Sequence, residues 1–247
     1  MTPAPSPSVI AALAPAGTLL VGLNMANFLL TRRDPVSNEP RGVATDLARE
    51  LATRLGVPLK FVCYDAPGPM ADAVRSGAWN VAFFAVEPAR AAEIDFSAAY
   101  LEIEATYLVP PGSQLNNVAD VDRPGVRIST MNKSAYALYL ARSLKHAQLV
   151  TAADIEASFR QFVDDKLEAL SGLRPRLVSD AARLPGSRIL DGRFTAVQQA
   201  IGMPRTSEAA ASYLRAFVED VKASGLVAEV ITKNAVHGVN VAAPTQA

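Results

Sequence analysis

Histidine and cysteine are nearly missing from this chain: its 247 residues include two His, at 146 and 237, and one Cys, at 63. A single thiol cannot close an intramolecular disulfide, so oxidising and reducing compartments both stay open. There is no Cys/His set for zinc, and neither metal catalysis nor a Ser-His-Asp arrangement is expected, so no metal or cofactor is assigned. An excess of either charge is missing too, since 24 Lys+Arg balance 24 Asp+Glu. Phosphate neutralisation needs a basic surplus, so nucleic acid is not an expected partner. No apolar run approaches the roughly 20 residues that span a bilayer. The short run Val9–Ala14 has no Lys or Arg before it and is flanked by Pro3, Pro5, Pro7 and Pro15, which does not read as a signal peptide. A cytoplasmic protein and a mature exported form, its leader removed, both fit.

What is present is hydrophobic content of 50% at zero net charge, which excludes global disorder. The length allows one large domain or two lobes of about 100–150 residues each. Thr18–Leu23 is a short apolar run ending at Asn24, which predicts a buried strand. Leu47, Ala48, Leu51, Ala52 and Leu55 form a helical stripe closed by Gly56. A strand over 57–64, a short helix over 70–76 ended by Gly77, and a buried strand over 81–86 follow. Then come a one-turn helix from Pro88 and a strand over 105–109 running into Pro110-Pro111-Gly112. A second set reads as a strand over 126–130, a helix over 134–144 and a strand near 148–150. It goes on with a helix over 152–163, a strand over 167–171, a helix over 179–183 and a strand over 188–190. A returning strand over 194–203 and a long helix over 207–224 closed by Gly225 lead to a small polar tail, 239–247, expected to fray. Strands alternating with amphipathic helices predict an α/β fold with a largely parallel sheet. Two such halves joined by two extended crossings predict a bilobal protein with a ligand cleft between the lobes.

Three pieces in order, Arg75–Ala82 (RSGAWNVA), Glu87–Arg90 (EPAR) and Ile94–Tyr100 (IDFSAAY), resemble the central motif of the family 3 extracellular solute-binding proteins, the amino-acid-type receptors of ABC importers. The helix of residues 42–56, the start of the second half at 125–136 and the ending over 203–238 agree with the same pattern. The resemblance implies an α/β, bilobal, periplasmic-binding-protein type II-like fold, two α/β lobes joined by two hinge strands. Lobe 1 is expected to hold residues 1–109 and 203–247, and lobe 2 residues 110–202.

The same resemblance assigns roles. Arg90 follows a buried strand at a loop-to-helix junction, where a guanidinium fork can hold a carboxylate by two parallel hydrogen bonds. Its matching position in the family clamps the ligand's α-carboxylate. The plainer alternative is a surface arginine paired with Glu93 or Glu87. Ser134, after the loop Thr130-Met131-Asn132-Lys133, opens a helix whose N-terminus attracts anions, or it is simply a cap. Asn24, Asn27 and Phe28 fall where the family places an aromatic and polar wall, and Phe84 is a candidate lining residue because strand side chains alternate.

Two positions depart from the family pattern. Its Thr-x-x-Arg step reads Glu87-x-x-Arg90 here, and Glu87 either receives an ammonium, pairs with Arg90, or caps the helix beginning at Pro88. In the second lobe Leu173 stands where the family commonly has the Asp that binds the ligand's amino group. A buried amine without a carboxylate is costly, so the expected solute is a small carboxylate, or an amine received through Glu87. The function expected is that of a monomeric, periplasmic binding protein, not an enzyme, that closes on a small-molecule ligand and presents it to an ABC permease. The alternatives are a dehydratase-like enzyme on the same scaffold and a sensor that works without a permease.

Overall fold

The structure, a computed structural model, describes residues 2–245. The chain begins with α1 (Pro7–Leu13) and β1 (Leu19–Asn24), followed by a small hairpin, β2 (Arg32–Arg33) and β3 (Pro40–Arg41). Next come α2 (Val43–Leu55), β4 (Leu59–Tyr64), α3 (Pro67–Asp72), β5 (Val81–Ala85), α4 (Pro88–Ala91) and the long β6 (Ile94–Val109). Then follow β7 (Arg127–Met131), α5 (Ala135–Ser143), β8 (Gln148–Ala152), α6 (Ile155–Asp164), β9 (Ala169–Leu173), α7 (Arg174–Arg183) and β10 (Arg188–Ile189). The chain closes with β11 (Thr195–Pro204), α8 (Glu208–Ala223), α9 (Leu226–Lys233) and β12 (Val239–Val241).

Two compact units result. Unit 1 holds the chain up to Glu102 and again from Gln198, and unit 2 is the continuous stretch Ile103–Val197. The changeovers fall inside β6 and β11, upstream of the 109/110 and 202/203 boundaries that the resemblance implies. The Pro110-Pro111-Gly112 break ends β6 rather than dividing the units, because the strand keeps its ladder through Val109, which pairs with Arg188.

In unit 1 the strand order is β4-β1-β5-β11-β6, with β12 also on β6. β1 is parallel to both β4 and β5, and β11 is antiparallel to β5. Gly22 in β1 is required by close approach, since a Cβ there would meet the Ala82 Cβ at 2.9 Å and the Trp79 ring at 3.3 Å. Beneath it lies a core of Met70, Val74, Trp79, Ala82, Phe84 and Ile94. The indole N–H of Trp79 donates to the Met70 carbonyl at 3.0 Å. Helix α2 buries the predicted stripe and ends at Gly56, whose φ of 68° needs glycine's freedom.

The segment before β1 forms a helix, and the tail is more ordered over its described residues than expected. Ser6 caps α1, Pro7 sits at its first turn, and Val9 and Leu13 are buried where the helix packs on α8. The tail does not fray over the described residues: Ala242 N–H donates to the Tyr100 carbonyl at 3.2 Å, and Thr245 Oγ1 donates to Glu219 Oε1 at 2.8 Å. The rest of the tail that was expected to fray, Gln246 and Ala247, lies outside the described residues.

In unit 2 the order is β6-β9-β7-β8, with β10 on β6; β7 is parallel to β8 and β9, and β6 is antiparallel to β9. Alternation along β6 feeds two apolar layers. Tyr107 and Val109 join Ile128, Leu140, Ala169 and Leu190 on one face, while Leu108 joins Phe159, Phe162, Leu170 and Leu177 on the other. A sheet covered on both faces explains why its strands read as continuous apolar runs. β9 and α7 abut directly, so strand and helix both occupy residues different from the predicted 167–171 and 179–183. The cause is Pro175, which at a first helical turn starts a helix instead of breaking one.

Candidate functional site

In unit 1 the candidate residues gather at the carboxyl ends of β1 and β5. Since the two strands run parallel, Asn24 at the end of β1 and Ala85 at the end of β5 finish on the same edge of the sheet. Beyond Ala85 the chain turns through Val86 and Glu87 into α4, with Pro88 at its first turn. This places Arg90 back over the strand it has just left. The side chain is not a surface arginine: Arg90 is only 7% exposed. Its guanidinium donates from Nη1 to the Ala85 carbonyl at 2.9 Å and lies 5.7 Å from the centre of the Phe84 ring. Burial pushes the Arg90 pKa down to about 10, with the Glu87 carboxylate pulling the other way. The group therefore keeps its charge at neutral pH, in a place where water solvates it poorly and an anion would be held strongly. Glu93, one of the two surface partners considered for it, is instead gripped by Arg75, Nε to Oε2 at 2.8 Å and Nη2 to Oε1 at 2.6 Å.

Glu87 is buried as well, at 5% exposure, and its side chain makes no cap bond to α4, so the capping role does not apply. The backbone of α4 is instead closed by the Glu87 carbonyl, which accepts from Arg90 and Ala91 N–H groups at 2.9 and 3.0 Å. Phe84 is a core residue rather than a lining one. At 2% exposure it packs edge-on against Trp79 and Phe96, with ring centres 5.6 and 6.1 Å away, and it supports the guanidinium from below. Strand alternation turns one of Phe83 and Phe84 away from the site, and β5, covered on both faces, buries both.

After β1, Asn24 Oδ1 accepts from the Ala26 N–H at 3.1 Å and shapes the turn. The Asn27 carbonyl accepts from Leu30 and Thr31 N–H groups at 3.0 and 2.9 Å, while its side-chain Oδ1 is buried without a hydrogen-bond partner among the described residues. Phe28 is 40% exposed. Gln198, which the sequence did not single out, also reaches this edge: its carbonyl accepts from Val86 N–H at 2.8 Å and its Nε2 donates to Glu102 Oε2 at 2.7 Å.

In unit 2 the carboxyl ends of β7 and β9 likewise finish together. Ser134 caps α5, its Oγ accepting from the Ala137 N–H at 3.1 Å. Just before it, Thr130 is fully buried, and its Oγ1 has no hydrogen-bond partner among the described residues. A buried hydroxyl left unsatisfied costs about 1–3 kcal/mol, which an oxygen-bearing guest could recover. Asn132 is exposed, and its N–H is used by the Ala152 carbonyl at 2.9 Å. Leu173 ends β9 at the cap position of α7, half-buried, and offers hydrocarbon there.

Two neighbours of this edge escaped the sequence reading. Tyr136, one turn into α5, has its hydroxyl pushed up to about 12 by burial, with Ser134 and Arg176 holding it back. Arg176 donates from Nε to both oxygens of buried Asp180 at 3.0 and 2.9 Å, and from Nη2 to Glu156 Oε2 at 3.0 Å. Arg183 shares both carboxylates. The run Arg174-Pro175-Arg176 directly after Leu173 was the available signal, since basic residues in a first helical turn oppose the helix dipole and need a reason. Among the described residues no group of His, Cys, Asp and Glu is placed to hold a metal ion, and no helix is long and apolar enough to cross a membrane.

Comparison with known proteins adds three findings. A model of one protein family, the bacterial extracellular solute-binding proteins, family 3, matches residues 21–236. No curated protein matches in sequence. Solved structures agree over nearly the whole chain. A mutant of ArgBP from T. maritima superposes with a TM-score of 0.74 at 20% identity, covering 92% of this chain and 98% of its own. An amino acid ABC transporter substrate-binding protein, AbpA from Streptococcus pneumoniae, bound to L-arginine, gives 0.74 at 20% identity over 90% and 96%. The ancestral amino acid-binding protein AncCDT-1, a precursor of cyclohexadienyl dehydratase, gives 0.74 at 19% identity over 91% and 98%.

Proposed function

The chain belongs to the bacterial extracellular solute-binding proteins, family 3, and from that premise we propose that it captures a small solute bearing a carboxylate and presents it to an ABC importer from the periplasmic side. The observation that carries this reading is the buried guanidinium of Arg90 at the carboxyl ends of parallel strands. The Glu87 carboxylate offsets only part of that burial, and a bound carboxylate would add paired, charge-assisted hydrogen bonds. In unit 2 the Thr130 hydroxyl and the N-terminus of α5 supply the oxygen-binding groups.

Leu173 leaves no carboxylate at the end of β9 for an amine. The solute is accordingly an organic acid, or an amino compound whose ammonium meets Glu87. Titration calorimetry against a panel of standard amino acids and small organic acids tests this, with Glu87→Gln beside wild type. Weakened binding of amino compounds alone in the variant supports the Glu87 assignment. Tight binding of a standard amino acid that ignores Glu87→Gln refutes it. We read the chain as a binder rather than a dehydratase because acid catalysis needs a positioned carboxyl able to give up a proton. Leu173 has none, and Glu87, the candidate acid, lies buried beside the Arg90 guanidinium.

A further inference from the structure

A second feature of unit 1 lies outside the candidate site. β4 is the last strand of its sheet: all six of its residues pair with β1, and among the described residues no strand lies on its other side. Backbone bonds at both ends fix which residues face which way. Leu19 N–H donates to the Pro58 carbonyl and Met25 N–H to the Tyr64 carbonyl, each at 2.8 Å. Even-numbered positions therefore turn their main-chain groups toward β1. In a parallel ladder the alternate residues, Leu59, Phe61 and Cys63, then turn their N–H and C=O groups outward.

The same three residues line a groove of about 720 Å³ whose opposite wall is the β2–β3 hairpin. Its charged lining is one-sided, with Arg33, Arg49 and Lys60 against Glu39. Arg49 pairs with Asp46 at 3.1 Å, and its guanidinium lies 5.5 Å from the centre of the Phe61 ring. Lys60 makes no ion pair among the described residues. The Cys63 thiol, pushed up chiefly by burial, stays neutral and adds no anion.

We propose that this groove receives an extended acidic segment of a partner protein, added to the sheet as a strand beyond β4. Its main chain would bond Leu59, Phe61 and Cys63, and acidic side chains would meet Arg49 on the face of Phe61, Lys60 on the opposite face and Arg33 across the groove on the hairpin. The charges also decide against a second copy of this chain as occupant. Two β4 edges side by side would set three cations against three, a repulsion of the kind that keeps natural edge strands from pairing with themselves.

The test uses a fluorescein-labelled peptide of Val-Glu-Glu-Val repeats, which carries Glu on both faces of a strand, its counterpart with Lys in place of Glu, and the whole protein. Fluorescence anisotropy should show saturable binding of the acidic peptide, weakening as salt rises, and none of the basic one. Amide exchange by NMR should slow at Leu59, Phe61 and Cys63 on adding the acidic peptide. Phe61→Pro removes one outward N–H and leaves the β1 ladder intact, and should weaken binding about fivefold to tenfold, the worth of one such bond. Lys60→Glu, an exposed position where folding is not at stake, should weaken it as much. Equal binding of both peptides, no binding of the acidic one, or unchanged affinity in Lys60→Glu overturns the proposal. So does a dimer in sedimentation equilibrium that protects the same three amides without any peptide.

Discussion

Replacing Arg90 by Ala separates a binding group from a folding group, and the magnitudes can be worked out in advance. On the stability side the variant loses the bond to the Ala85 carbonyl, about 1.5–3 kcal/mol for a charged donor, and the contact with the Phe84 ring, about 0.5–2 kcal/mol. It also sheds a buried charge. The fall of the Arg90 pKa from 12.5 to about 10 corresponds to about 3 kcal/mol of lost solvation that the folded state carries. These contributions oppose each other, so net stability should change by no more than about 2 kcal/mol. On the binding side, removing one partner of a buried, hydrogen-bonded charge pair costs about 2–5 kcal/mol. That is a rise in Kd of about 30-fold to several thousand-fold. Calorimetric titration with whichever carboxylate binds wild type, beside a thermal melt of the free protein, reads both numbers. Arg90→Met keeps the length of the stem and most of the packing without the charge, and should bind as poorly as Arg90→Ala. Wild-type affinity in a folded Arg90→Met would refute the reasoning, because no electrostatic role for the guanidinium would survive it.

Two other outcomes follow from the geometry. Thr130→Val removes a buried hydroxyl that has no protein partner among the described residues, so the free protein should be as stable as wild type or more so, while solute affinity falls about tenfold; denaturant titration with and without solute reads the two effects. In Glu156 the Arg183 and Arg176 guanidiniums hold the carboxyl at about 2 against an ordinary 4.5, so its contribution is whole above pH 4.5 and is lost as the pH falls toward 2. Glu156→Gln should be less stable than wild type at neutral pH and show a flatter stability profile across that acid window, measured as urea midpoints against pH.

Much of the architecture was legible because it rests on local signals. Leu47, Leu51 and Leu55 repeat at helical spacing, Gly56 stops the helix, and Val81–Ala85 has the continuous apolar character of a strand covered on both faces. Arg90 was legible through its motif, and Ser134 through its cap position. What stayed hidden depends on contacts between distant residues. The burial of Glu87 beside Arg90, the absence of a hydrogen-bond partner for the Thr130 hydroxyl among the described residues and the core position of Phe84 are set by elements far away in sequence. The first turn of α7 was not legible because Pro175, which can begin a helix as readily as end one, is an ambiguous local signal. The order of the tail comes from Tyr100, about 140 residues before it, which no local pattern reports.

The division of the chain also sets a timetable for biosynthesis. Unit 2 is one unbroken stretch, Ile103–Val197, whereas the sheet of unit 1 stays open until Gln199–Gly202 emerge and pair with Ala82–Ala85. A ribosome delivering this polypeptide thus releases a middle that can complete itself while its beginning waits, with β5 lacking a neighbour on one side. During that interval the nascent product exposes a wholly apolar strand, the state in which holding factors are most needed.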